Sequence, residues 1–158
     1  MIQYDKKNYS EKYMLYTHTQ YSPLFKWGTI ILLLYSIGVQ LFIQEIPILV
    51  NIGFFLLMFF IFRIFWSLTI SITSTHISHA FHFGFWKKTY ALSEIASVSA
   101  QKKPFWAGWG IRWMPDGWLY NVAGNDIVRI VFTNGSIVYL GTDEAQNLCA
   151  TLAQATQK

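Results

Sequence analysis

Leu24 to Ile43 reads LFKWGTIILLLYSIGVQLFI, and Ile46 to Trp66 reads IPILVNIGFFLLMFFIFRIFW. Between Trp27 and Phe62 the one charged residue is Glu45. Each run reaches the ~20 residues that a helix needs to cross the hydrocarbon core of a bilayer. A buried helix pair in a soluble protein needs a polar stripe to show to water, and these runs have almost none. A cleaved signal peptide does not fit, because the first run follows a polar segment and the apolar stretch continues too long. The two runs predict a transmembrane helical hairpin over 24–66, with spans at about 24–43 and 46–66. Gln44 to Pro47 is a very short connection, and Pro47 suits the first turn of the second helix. Trp27 and Trp66 fall at the same side of the hairpin, where amphipathic rings favour the headgroup region.

The rest of the composition agrees with a membrane chain. Of 158 residues only 13% are charged, against about 25% in soluble domains. Lys6, Lys7, Lys12 and Lys26 precede the first span, and Arg63, Lys87, Lys88, Lys102 and Lys103 end or follow the second. The hairpin loop carries no Lys or Arg. The bias of basic residues toward the cytoplasm then predicts both termini inside and the tip near Glu45 outside. This gives a cytoplasmic N-terminal segment (1–23), the hairpin (24–66) and a cytoplasmic domain (67–158), in a cytoplasmic membrane crossed twice. The single cysteine, Cys149, permits no internal disulfide and suits a reducing compartment.

After Leu68 the texture changes to short alternating segments. In LTISITS (Leu68–Ser74), Leu68, Ile70 and Ile72 share one face and Thr69, Ser71 and Thr73 the other, which predicts a half-buried strand. ISHAFHF (Ile77–Phe83), WKKTYAL (Trp86–Leu92), EIASVSAQ (Glu94–Gln101), GWLYNVA (Gly117–Ala123), DIVRIVFT (Asp126–Thr133) and SIVYL (Ser136–Leu140) read as further strands. Asn134-Gly135 predicts a two-residue type I′ hairpin turn. Met114 to Gly117, MPDG, has turn chemistry, so Ile111–Trp113 and Trp118–Asn121 become hairpin arms with Trp113 opposite Trp118. Thr142 caps a last helix with Asp143 and Glu144 at its positive end, and Ala145, Leu148, Cys149 and Leu152 form one apolar stripe. No helix separates the strands, so parallel βαβ units are excluded and antiparallel pairing is expected.

The quoted segments resemble bacterial membrane proteins in which a transmembrane helical hairpin leads into a pleckstrin-homology-like domain. SLTISITSTHISHAFHFG, ALSEIASV, GWGIRW and GWLYNVAGNDIVRIVFTNGSIVYLGTDEAQNL carry the resemblance. It implies a membrane-anchored α+β protein: an antiparallel β-barrel or sandwich of about seven strands, capped by a C-terminal helix. It implies no catalytic residues, and a domain that binds partners or self-assembles at the membrane. Relatives in fold bind phosphoinositides through a basic loop between their first strands. Ser74 to His76, read as that loop here, has no Lys or Arg.

Chemistry is sparse. His76, His79 and His82 are spaced by three, which would gather metal ligands on a helix, but on a strand His79 points away from the other two. No nucleophile sits in an elbow motif, and no glycine loop cradles phosphate. Cys149 lies on a packing stripe. The reading is therefore non-enzymatic, with no cofactor, no metal and no nucleic-acid partner, since the charge of +4 is spread without a basic stripe. A small β-domain has a limited interior, and five tryptophans follow Phe85. The surplus should face lipid, the hairpin or another subunit, with a homo-oligomer as the default assembly. Two function classes follow. One is an anchored scaffold that binds itself or another membrane protein. The alternative is a lipid- or small-ligand-binding, lipid-handling membrane protein with an apolar pocket, in which Arg112 beside Trp113 and Trp109 holds an anionic head. The contact residues expected are Lys102, Lys103, Trp106, Trp109 and Arg112, which put two indoles and three cations at a membrane interface or a subunit contact.

Overall fold

The computed structural model describes residues 14–43 and 45–156. Lys6, Lys7, Lys12 and Gln44 lie outside the described residues. The described residues form an α+β fold with two sheets and three α-helices.

A strand forms before the first apolar run. β1 (Met14–Tyr21) pairs antiparallel with β2 (Ser67–Thr73), with Tyr21 opposite Ser67 and Gln20 opposite Leu68. Residues 1–23 are therefore not one separate N-terminal segment, since 14–21 belong to the sheet. The entire helix pair, α1 (Pro23–Phe42) and α2 (Ile48–Ile64), is an insertion between two hydrogen-bonded strands. The Ser22 amide donates to the Trp66 carbonyl at 2.9 Å, which ties the two feet together. Ser22 also caps α1 by accepting from the Phe25 amide, with Pro23 in the first turn. The segment Ser74–His76 consequently joins the second and third strands, not the first two.

α1 has 20 residues with a mean hydropathy of 1.5 and is long and apolar enough to cross a membrane. α2 has 17 residues, about 25 Å of helix at 1.5 Å per residue. The helices pack on each other through small and polar residues. Gly28 faces the Phe62 ring so closely that a Cβ there would sit 2.8 Å from it. Asn51 is buried and donates to the Ser36 carbonyl at 2.9 Å and to Gln40 Oε1 at 3.4 Å, while accepting from Ser36 Oγ at 3.0 Å.

The first sheet has the order β1-β2-β3-β4, adding β3 (His76–Phe81) and β4 (Lys88–Ala91), and is wholly antiparallel. The second has the order β5-β8-β9-β7-β6, formed by β5 (Ile95–Lys102), β6 (Gly110–Met114), β7 (Gly117–Asn121), β8 (Asp126–Phe132) and β9 (Ile137–Gly141). Among the described residues the nine strands form two sheets and no closed barrel. The expectation of purely antiparallel pairing fails at one place: β7 and β9 are parallel. No crossover helix is needed, because β7 and β8 are antiparallel arms joined by Val122–Asn125, and β9 inserts between them. The insertion is tight. A Cβ on Gly117 would collide with the Ile137 carbonyl, and one on Gly141 with the Asn121 side chain.

The β6–β7 hairpin forms as expected, with Trp113 opposite Trp118 and their rings edge-to-face at 5.0 Å. The β8–β9 turn differs from the expected type. Phe132 pairs with Ser136, and the Gly135 amide donates to the Phe132 carbonyl, so three residues form the loop. Of its central residues only Gly135 has positive φ (81°). This is a type I turn closed by a left-handed glycine, not the two-residue type I′ form.

One core lies between the sheets. Leu68, Ile70, Ile72, Ile77 and Phe81 face Val128, Ile130, Val138 and Leu140. α3 (Ala145–Thr156) closes it with Ala145, Leu148 and Leu152, three of the four stripe residues, and Cys149 packs at the margin. β1 is fastened to the start of α3: His18 Nε2 lies 2.6 Å from Asp143, and the Tyr16 hydroxyl donates to Glu144 at 3.2 Å. Ala107, Met114, Leu119, Ile127 and Tyr139 form a second, smaller cluster on the outer face of the second sheet.

The glycine at the parallel seam supplies a test. Gly117→Ala should destabilise the protein by about 1–3 kcal/mol, the usual cost of overpacking. Gly38→Ala, at a site with nothing within 4 Å, should not. Thermal unfolding of both variants in detergent decides; equal melting of the two would refute the seam.

Candidate functional site

The helices leave the β-unit at one end, and the long loops gather there. At the foot of α2, Arg63 lies 4.6 Å from the Trp66 ring centroid and 6.0 Å from that of Phe83, and its guanidinium reaches His82 Nε2 at 3.4 Å. Gly110 lies near the Phe65 ring, which a Cβ there would meet at 3.9 Å, and Gly124 near the Gln20 side chain, which a Cβ would meet at 3.5 Å. The Lys103 amide donates to the Asn125 carbonyl at 2.7 Å. Three loops, 82–87, 103–109 and 122–125, therefore surround the base of the helix pair.

The expected contact residues divide. Lys103 is nearly buried, 8% exposed, with Nζ 5.4 Å from the Trp109 ring centroid. Burial pushes its pKa down. Arg112 donates from Nε to the Trp109 carbonyl at 3.2 Å and lies beside Gly108, whose backbone is left-handed (φ 62°). Lys103, Trp109 and Arg112 thus form one cluster. Lys102 does not join it: its Nζ pairs with Asp126 at 2.6 Å, with the lysine side chain 73% exposed, where such a pair contributes little. Trp106 sits in the short 3-10 turn Phe105–Ala107 and is exposed. That turn plugs the second cluster with Ala107, while Phe105, 95% exposed, and Trp106 point outward.

A second set of exposed aromatics joins Trp86, one of the surplus tryptophans, to two phenylalanines that the sequence did not single out. Phe83, Phe85 and Trp86 are all exposed on the loop between β3 and β4. Phe83 (φ 59°) and Trp86 (φ 52°) hold left-handed backbone, which costs roughly 1–2 kcal/mol per residue for an L side chain. Beneath them the His82 ring bridges two elements. Ser67 Oγ lies 3.1 Å from His82 Nδ1, and Arg63 approaches Nε2. A guanidinium only donates, so Nε2 accepts and Nδ1 carries the proton, which it donates to Ser67 Oγ. Burial, and then Arg63, lower the His82 pKa, in keeping with a neutral ring. His82 in this state cannot take a proton from Ser67. No signal in the sequence joins Arg63, Ser67 and His82, because the sheet register brings them together.

The three histidines do not converge. His79 faces the core and His76 the opposite side of β3. Among the described residues no group of three His, Cys, Asp or Glu is arranged to hold a metal ion. His79 is 1% exposed, lies 4.3 Å from the Tyr120 ring and 5.9 Å from that of Tyr90, and neither ring nitrogen has a partner among the described residues. Compared with known proteins, the chain matches no family model, no curated protein and no solved structure.

Burial, helped by Lys88, pushes the His79 pKa down to about 4, against about 6.5 in an unfolded chain. The unfolded chain therefore binds the extra proton first. Stability is undiminished above about pH 6.5 and falls as the pH drops toward 4, by about 3 kcal/mol from this group. His79→Phe, which keeps the stacking, should remove much of that fall. Urea unfolding at neutral pH and near pH 4.5 measures it; an unchanged pH slope in the variant would contradict the assignment.

Proposed function

We propose that the chain is a non-enzymatic interaction module, anchored in the cytoplasmic membrane of a bacterium by α1 and α2 as a two-span hairpin, with both termini on the cytoplasmic side. One observation carries this reading: both feet of the helix pair are tied to the end of the β-unit where exposed aromatics and cations collect. Trp27, Phe83, Phe85, Trp86, Phe105, Trp106 and Trp109 suit the headgroup layer, with Lys26, Arg63 and Lys103 beside them. The helix surfaces between the feet and the tip are apolar and mostly exposed. The Ser36–Asn51–Gln40 hydrogen bonds are of the kind that join helices within lipid. α2 is short for a ~30 Å core, a mismatch that local thinning and snorkelling by flanking residues absorb at modest cost.

Setting β6 and β7 aside leaves seven antiparallel strands and a terminal helix, the arrangement implied by the pleckstrin-homology-like resemblance. The tautomer of His82 supports a non-catalytic role for the Ser67–His82 pair. The exposed Trp113–Trp118 ledge gives a partner something to bury, and a second copy of the chain is the partner proposed.

Topology tests the reading. In a Cys149→Ala background, an impermeant thiol reagent applied to intact cells should label Glu45→Cys and leave Ser136→Cys untouched. Labelling of Ser136→Cys would overturn the orientation. Trp113→Ala with Trp118→Ala should shift the detergent-solubilised chain from a defined oligomer toward monomer. A wild-type chain that is monomeric in crosslinked native membranes would rule out self-association.

A further inference from the structure

We propose that the groove at the foot of α2, on the outer face of the first sheet, binds the phosphate of an anionic lipid headgroup, with Lys87 and the hydroxyls of Ser67 and Thr69 as its ligands. The site is distinct from the Lys103–Trp109–Arg112 cluster, and it rests on the reading that the helix pair lies in the membrane.

The outer face of this sheet is built from hydroxyls. Thr19 stands opposite Thr69, and Thr17 opposite Ser71, which in turn stands opposite Ser78. On β2 the inward positions Leu68, Ile70 and Ile72 are apolar, and the alternation leaves Ser67, Thr69 and Ser71 on the outer face. The loop between β3 and β4 arches over its helix-proximal end. Together they enclose a groove of about 390 Å³, lined by Ser67, Thr69, Ser71 and Ser78 and rimmed by Tyr21, Phe83 and Lys87. Among the described residues no Asp or Glu lines it and Lys87 has no ion-pair partner.

The hydrogen-bond directions favour an anion. Arg63 fixes His82 with its proton on Nδ1, and that proton occupies Ser67 Oγ as acceptor. The Ser67 hydroxyl hydrogen is left free to donate. Ser67 is 3% exposed and held by this contact, so the donor is positioned before any ligand arrives. The Thr19 and Thr69 hydroxyls share one hydrogen bond at 2.8 Å, which leaves one of their two hydrogens to give. Phosphate oxygens accept several such donors, and a nearby ammonium strengthens each bond.

Position selects the source. Ser67 follows Trp66 and the α2 foot directly, and Arg63 stands at the groove's membrane side through His82. A phosphate held here lies at headgroup depth, with Phe83 and Trp86 beside it for the acyl boundary. Phe83 and Lys87 line the groove, and Phe83 and Trp86 are both exposed.

The experiment uses the full chain in detergent micelles, offered equal phosphatidylglycerol and phosphatidylcholine, with retained lipid counted by native mass spectrometry. Wild type should keep one phosphatidylglycerol in preference. Lys87→Gln should weaken retention about five-fold, and Ser67→Ala should weaken it as well, while Lys102→Gln leaves it unchanged. Far-UV circular dichroism must match wild type for each variant; if Ser67→Ala misfolds, the Lys87→Gln result decides alone. Equal retention by Lys87→Gln and wild type would overturn the site. Displacement of the lipid by millimolar inorganic phosphate would overturn the lipid as its source. Release of the chain from native membranes by alkaline carbonate, with Lys87-dependent lipid retention intact, would sink the anchoring reading and leave the phosphate site standing.

Discussion

Every feature of this molecule depends on the ladder between β1 and β2. Tyr21 and Ser67 are opposite one another although the whole helix pair lies between them in sequence. The hydrogen bonds of two neighbouring strands fix the separation of the helix feet. A hairpin tied in this way leaves and re-enters the sheet at one end. The loops at that end are then held against the helix bases, which is where the aromatic and basic side chains collect. A flexible linker would impose none of this.

The junction is stiff for a second reason. A run of aromatic contacts leads from the helix pair into the sheets. Phe25 packs on Phe62 at 5.7 Å and on Phe65 at 6.0 Å, and Phe65 meets Phe81 at 5.1 Å. Phe81 and His79 both reach Tyr120, which belongs to the second sheet. Such contacts give orientation beyond the burial of area. The helix pair and the β-unit share a continuous apolar interior, so a load on the helices reaches the core without crossing a polar gap.

The parts of this fold that were legible in the sequence are those whose signal is local. The apolar runs set out the two helices to within a few residues. The alternation in LTISITS marked β2, and Trp113 facing Trp118 followed from the turn residues between them. β1 was not legible, because its inward residues are Tyr16, His18 and Gln20, which are polar or amphipathic and give no period-2 apolar pattern. Asp143 and Glu144, far along the chain, supply partners for His18 and Tyr16, while Gln20 Oε1 is buried with no partner among the described residues. The parallel pairing of β7 and β9 has no local signature at all; it shows only in the glycines at its two ends. The turn after Phe132 was recognised from Asn134-Gly135, but its length is set by the pairing of Phe132 with Ser136. At the site, the Trp-rich loop announced itself by composition. Arg63 and Lys87 were visible only as basic residues and His82 only as one of three spaced histidines; nothing joined them to Ser67 until the register assembled them.

The central claim is that β1 pairs within its own chain across the inserted helices. Thr17 and Ser71 are direct partners on the outer face, with their hydroxyl oxygens 2.5 Å apart. Thr17→Cys with Ser71→Cys, in a Cys149→Ala chain, measures this pairing in native membranes under mild oxidation. The account predicts a rapid crosslink within single chains, seen as a mobility shift that reductant reverses. No crosslink, or one that joins only separate chains, would contradict it.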